Sequence, residues 1–123
     1  MNSGLILFAH GARDPRWAEP FEAIAAAVRM RAPDVDVRLA FLELMAPDLP
    51  TVADAMAADG CTRIDILPLF LGTGGHLRRD LPPLVDAIKA RHASVSVALH
   101  PAAGEAPSLI GAMAEHALSL MQT

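Results

Sequence analysis

His10, Glu43 and His76 are the residues of this chain whose types could do chemistry together. Two imidazoles and a carboxylate form a donor set suited to a borderline divalent ion such as Co²⁺, Fe²⁺, Ni²⁺ or Zn²⁺. Three or fewer protein ligands leave coordination positions open, as in reactive rather than structural sites. Each imidazole also titrates at about pH 6.5 when unperturbed, so it can exchange a proton near neutrality. Taken one at a time, these residues say little. A histidine after a strand is more often a polar cap, and a glutamate at a strand end is more often solvated. Their meaning depends on whether the fold brings them together.

The elements that must position them are legible from the apolar pattern. Gly4–Ala9 (GLILFA) is a continuous apolar run, suited to a strand buried on both faces, and it ends at His10-Gly11. Pro15 and Pro20 flank the entry to a helix that reaches about Arg31, with Phe21, Ile24, Ala25 and Val28 on one face. Pro33 stops it. Val35–Leu42 is a second strand, with Glu43 at its C-terminal edge. Pro47 and Pro50 precede a helix to about Ala58, closed by Gly60. Ile64–Leu71 is a third strand, expected to end or bend at Pro68, which cannot donate to a ladder. Gly72–His76 (GTGGH) reads as a glycine-rich loop, followed by a helix to about Arg91. Val95–Leu99 is a fourth strand, ending at His100, and Pro107 opens a last helix to about Met121.

Four βα repeats imply an α/β doubly wound domain with helices on both faces of a mostly parallel sheet. Crossovers should be right-handed. The expected strand order is 2-1-3-4, as in flavodoxin-like folds. The 123 residues make one domain, 1–123, with no linker or low-complexity segment. Ligands of such sheets bind outside the carboxyl ends of the strands. His10, Glu43 and His76 follow three neighbouring strands, so they should converge on one rim. His100 is read as a loop residue, and His92 and His116 as helix-end histidines facing the negative end of the helix dipole.

Around this rim the reading stays open. Gly74 and Gly75 could aim backbone N–H groups at a phosphate, let a flat ligand approach the chain, or serve a structural turn. The loop is neither a P-loop nor G-x-G-x-x-G. Arg13, Arg16, Arg78 and Arg79 flank the two histidines and suit carboxylate pairing, or are simply solvated. Asp14 and Asp80 could orient those arginines or cap helices.

Composition excludes several classes. Hydrophobic residues make up 53% and charged residues 20%, which allows a packed core and argues against disorder. The net charge of -4 argues against a general nucleic-acid binder. Cys61 is the single cysteine, so no internal disulfide forms, and a reducing cytoplasm is expected. No signal peptide or membrane-spanning run is read, and no membrane partner is expected.

The segments LILFAHGARDPRW, FLELMAPDLP and ILPLFLGTGGHLRRDLP resemble the short-form CbiX-type sirohydrochlorin chelatases, over nearly the whole chain. The resemblance implies a class II chelatase fold and an enzyme, a lyase. Such an enzyme inserts Co²⁺, Fe²⁺ or Ni²⁺ into sirohydrochlorin, a polycarboxylated tetrapyrrole, without nucleotide hydrolysis. It also implies a homodimer, and no cofactor beyond the substrate metal. The family's first histidine falls on His10, its acidic residue on Glu43 and its second histidine on His76. On this reading His10 and His76 hold the metal and Glu43 stands by. Arg13, Arg78 and Arg79 bind peripheral carboxylates, with Gly74, Gly75 and apolar side chains such as Leu44, Leu71 and Leu77 against the ring. Members often carry leucine-glycine-x-histidine-proline after strand four. Here Ala103-Gly104-Glu105-Ala106-Pro107 stands there, without the histidine. A metal or tetrapyrrole carrier, and a phosphate- or flavin-binding module, are the competing readings. No G-x-S-x-G elbow supports a hydrolase.

Overall fold

A computed structural model describes residues 2–122 apart from Thr73, and of His76 the backbone only. Four parallel strands, β1 (Ser3–Ala9), β2 (Asp36–Phe41), β3 (Arg63–Pro68) and β4 (Ser96–Leu99), pair in the order β2-β1-β3-β4. The order and parallel sense are those expected from the βα alternation. β1 is central, and its Ile6, Leu7, Phe8 and Ala9 are all buried because both sheet faces are covered there.

The helices α1 (Glu19–Arg31), α2 (Leu49–Ala58), α3 (Gly75–Arg91) and α4 (Pro107–Ser119) follow the strands in turn. α2 and α3 cover one face. Their Leu49, Val52, Met56, Leu81, Val85 and Ile88 pack with Ile6, Phe8, Ile64, Ile66 and Val97 into the main core. α1 covers the other face over β1 and β2, with Ala25 and Val28 against Leu7, Val37 and Leu39. The Asp14 carboxylate accepts from the Arg16 N–H and caps a 3-10 turn that leads into α1. Asp48 caps α2 in the same way through the Thr51 N–H.

Two boundaries matter to the site. β3 ends at Pro68, where the sequence reading put the end or bend of the Ile64–Leu71 run, because proline supplies no ladder donor. One more bond follows, from the Leu69 N–H to the Phe8 carbonyl, and the chain then turns outward. α3 begins at Gly75, so Gly75 and His76 belong to its first turn rather than to the loop. The first N–H groups of a helix have no intrahelical partner, so residues preceding the apolar periodicity at Leu77 and Leu81 join the helix at little cost. None of the residues of α4 is buried, but its Leu109 and Met113 line an apolar cleft with Leu67 and Leu69 beside the sheet and Ile24 of α1.

Among the described residues no helix is long and apolar enough to cross a membrane.

Candidate active site

The C-terminal rim of the sheet brings His10 and Glu43 together. The His10 Nε2 lies 3.0 Å from the Glu43 Oε1, with the two side chains 49% and 57% exposed. Backbone bonds hold the pair in register. The Leu42 N–H donates to the Ala9 carbonyl at 2.9 Å and the Glu43 N–H to the His10 carbonyl at 3.0 Å. The β1–β2 pairing therefore continues past the strands to His10 and Glu43. A carboxylate facing an imidazole accepts a hydrogen bond, so Nε2 is the donor of the pair, and in the neutral ring Nδ1 then keeps a lone pair.

Gly11 makes this geometry possible. Its φ is +100°, and a Cβ there would overlap the Glu43 carbonyl. Leu44 is the next departure: a non-glycine residue at φ 65° with its side chain 60% exposed. Leu71, past the end of β3, is 67% exposed. Two large apolar side chains thus stand in solvent on the rim that carries His10 and Glu43.

Phe70 backs the histidine. Its ring lies edge-on at 6.3 Å from the His10 ring and 6.1 Å from Phe8. Sequence reading missed this role, because Phe70 sits in an apolar run whose residues all look like strand core. The one available signal was its place two residues after Pro68.

The third expected member, His76, lies in the first turn of α3, at the carboxyl end of β3. Its side chain lies outside the described residues, as does Thr73 of the same loop. Among the described side chains no group of three His, Cys, Asp or Glu gathers as a metal site. Gly74 has φ -66° and ψ 161° and precedes the helix. Among the described residues, a side chain built at Gly74 or Gly75 would meet nothing within 4 Å. No described neighbour therefore requires glycine at these positions.

The flanking arginines divide. Arg13 and Arg79 are exposed. Arg78 is exposed too and faces Glu105 at 3.8 Å. Arg16 is bound to Asp14, whose carboxyl lies below its ordinary value because of that partner. Leu77 turns toward the main core and is only half-buried there. His100 does not join the rim set: its Nε2 lies 2.8 Å from Asp65 on the sheet face. His92 pairs with Asp54 at 2.7 Å at the opposite end of the sheet.

Known proteins match this architecture. The sequence profile of the CbiX family covers residues 4–119. The sirohydrochlorin cobaltochelatase of Methanococcoides burtonii is 34% identical over 85 residues, which are 67% of this chain and 63% of that protein. That of Methanothermobacter thermautotrophicus is 33% identical over 82 residues, 67% and 57% of the two chains. Each match spans less than two thirds of the relative's own length. The crystal structure of a CbiX protein from Marinobacter aquaeolei VT8 superposes with a TM-score of 0.86 at 31% identity, covering 98% of both chains. The chelatase SirB of Bacillus subtilis subspecies spizizenii, in complex with cobalt, shares the fold. There the TM-score is 0.74 at 24% identity, over 83% of this chain and 44% of that one. With its sheet order, its rim histidine and a profile match that runs almost end to end, this chain belongs to the CbiX family.

Proposed function

We propose that this protein inserts a divalent metal into sirohydrochlorin without nucleotide hydrolysis, with Co²⁺ as the first candidate and Fe²⁺ or Ni²⁺ as alternatives. The reaction belongs to cobalamin- or sirohaem-type tetrapyrrole synthesis. The observation that carries this reading is the exposed His10–Glu43 pair, 3.0 Å apart on the ligand-binding rim of a CbiX fold.

The chemistry follows from the pair. With Nε2–H donated to Glu43, the His10 Nδ1 offers a neutral lone pair to the metal, and the carboxylate fixes the orientation of the ring. His76 is the second metal ligand on this reading. Two nitrogen donors and open positions hold an ion loosely enough to pass it to the macrocycle. Insertion releases two pyrrole protons, and Glu43 and the imidazoles are the bases at hand. Gly74 and Gly75, which no described neighbour requires to be glycine, leave room for a flat ring near the backbone. Leu44 and Leu71 offer apolar surface to that ring. Arg13, Arg78 and Arg79 suit its peripheral carboxylates. The α3 N-terminus, with no acidic residue in its first turn, adds to the positive field.

No further cofactor enters this reading, and the net charge of -4 gives no support to a nucleic-acid partner. A symmetric pair of copies would widen a site that is small for a tetrapyrrole. A cytoplasmic setting suits a chain with one buried, free cysteine.

An anaerobic absorbance assay tests the proposal. Sirohydrochlorin is mixed with Co²⁺, Fe²⁺ or Ni²⁺, with wild-type protein, with His10→Ala or His76→Ala, and without protein. A metal-dependent spectral shift accelerated by wild type, and lost in both variants, is expected. Folded wild-type protein that binds metal or macrocycle without accelerating the shift would replace the enzyme by a carrier.

A further inference from the structure

A single hydrogen bond does not hold His10 still. Its Nε2 lies 3.0 Å from the Glu43 Oε1, but both side chains are about half-exposed. Solvent-exposed pairs of this kind fix a geometry only weakly. A group that takes part in chemistry has to keep its direction, since a misplacement of about 1 Å can cost about 100-fold in rate. An imidazole that keeps one direction therefore needs a rigid neighbour besides the carboxylate.

Phe70 has the position and the rigidity. Ile6 and Phe8 point into the core under α2 and α3, and side chains alternate along a strand. His10, two residues past Phe8, continues on the same side of β1. Its ring meets the Phe70 ring edge-on at 6.3 Å, and Phe70 meets Phe8 at 6.1 Å. Both separations lie within the range of about 4.5–7 Å that aromatic pairs favour. The row runs from Phe8, fully buried, through Phe70, 8% exposed, to the half-exposed His10. Phe70 is itself pinned, although it lies past the end of β3. On one side the Leu69 N–H donates to the Phe8 carbonyl at 2.8 Å. On the other the Gly104 N–H donates to the Phe70 carbonyl at 2.8 Å. Gly104 also lies so close to the Leu71 backbone that no side chain fits there. Backbone contacts to β1 and to the segment after β4 thus fix the ring that stands against the histidine.

We propose that Phe70 is a positioning residue for His10: its pinned ring limits rotation of the imidazole, so that the nitrogen left free by Glu43 keeps one direction toward an incoming divalent ion. The proposal rests on the reading of His10 as a metal ligand. Phe70 touches neither the ion nor the macrocycle on this account and acts only through His10. Glu43 selects which nitrogen is free, and Phe70 sets where that nitrogen points.

Co²⁺ binding without sirohydrochlorin, followed by titration calorimetry, is the first test, on wild type, His10→Ala, Phe70→Leu, Phe70→Tyr and Ile88→Ala. Leucine keeps an apolar side chain in the core but gives the imidazole no flat neighbour, and tyrosine restores the ring. Ile88 is buried in the same core, and its carbonyl accepts from the His92 N–H beyond the far end of α3. Ile88→Ala therefore controls for packing lost away from the rim. Phe70→Leu should bind Co²⁺ about tenfold more weakly, as when a group that orients a metal-binding histidine is lost. Its visible Co²⁺ band at saturation should also change, because the ligand arrangement changes. Phe70→Tyr should bind as wild type does, and so should Ile88→Ala, even where its melting temperature falls as far as that of Phe70→Leu. Phe70→Met carries the same comparison if the leucine variant does not fold. Wild-type affinity and band in Phe70→Leu, or an equal loss in Ile88→Ala or Phe70→Tyr, would overturn the proposal. So would a Co²⁺ affinity that His10→Ala leaves unchanged. Wild type that binds Co²⁺ through His10 without accelerating metal insertion leaves the positioning role standing and removes only the enzymatic reading.

Discussion

The backbone carbonyl of Glu43 occupies the space that a side chain at residue 11 would need. Gly11, at φ +100°, is thus the joint that lets the ends of β1 and β2 meet closely enough for His10 to reach Glu43. Replacing Gly11 by Ala should cost about 1–3 kcal/mol through the strained φ alone. The melting temperature should fall by roughly 4 °C per kcal/mol, and metal insertion should suffer more than stability, because the clash lands on the pair. Calorimetry beside the absorbance assay checks both. A Gly11→Ala protein with wild-type rate would show that the close approach does not matter to the site.

Glu43→Gln keeps the size of the side chain and removes its charge. Loss of a carboxylate behind a metal-binding histidine typically reduces affinity or activity by about 10–100-fold. The same drop in insertion rate is expected here. Stability should change by less than about 0.5 kcal/mol, because the side chain is on the surface. Wild-type turnover in this variant would reduce Glu43 to a solvated residue.

Arg78 is exposed and faces Glu105 at 3.8 Å. Arg78→Ala should raise the apparent KM for sirohydrochlorin several-fold with little change in kcat, since it removes binding rather than reacting groups. Glu105→Gln should act in the opposite direction, by freeing Arg78 for the substrate's carboxylates. Parallel KM shifts in both variants would remove that role.

Leu44 holds a left-handed backbone at φ 65° and exposes its side chain. That conformation costs a non-glycine residue about 1–2 kcal/mol. Leu44→Gly should therefore leave stability unchanged or slightly higher, with the relief of strain offset by glycine's greater chain entropy. The same variant should weaken macrocycle binding by removing apolar surface. A clear loss of stability with unaltered binding would assign Leu44 to packing instead.

Asp65 lies between His100, at 2.8 Å, and Arg63, at 2.9 Å. The hydrogen bond with His100 holds its carboxyl below the ordinary 3.8 against an opposing push from burial, with the Arg63 hydrogen bond adding a lesser lowering. A carboxyl with a lowered folded pKa binds fewer protons folded than unfolded. The stability it contributes is complete above the unfolded value and is lost as pH falls through the folded one. Asp65→Asn should lower stability at pH 7 by on the order of 1 kcal/mol. The gap from wild type should close as the pH drops below about 4. Asp54, lowered first by its bond with His92, follows the same sign. Melting curves across pH 2–7 report it, and a gap independent of pH would contradict the assignment.

The sequence by itself determined the architecture. GLILFA reads as a strand buried on both faces and becomes β1. The four βα repeats require a parallel sheet, and the order 2-1-3-4 carries His10 and Glu43 to one rim. Local chemistry decides these features: apolar period, proline stops and capping residues all point the same way. The end of β3 at Pro68 was legible from the proline itself, but the first turn of α3 was less so, because a helix N-terminus depends on which backbone donors find partners.

Only the tertiary structure decided the rest. That Gly11 must be glycine depends on the Glu43 carbonyl, 32 residues away in the chain. That Phe70 backs His10, and that His100 turns to Asp65 rather than to the rim, are matters of side-chain direction at strand ends, which periodicity does not encode. The apolar face of α4 was visible as a pattern, but not that Leu109 and Met113 would line a cleft with Leu67, Leu69 and Ile24 while Leu118 stays exposed. The close approach of Gly104 to Phe70 and Leu71 is likewise a backbone contact between distant segments, which no local pattern encodes.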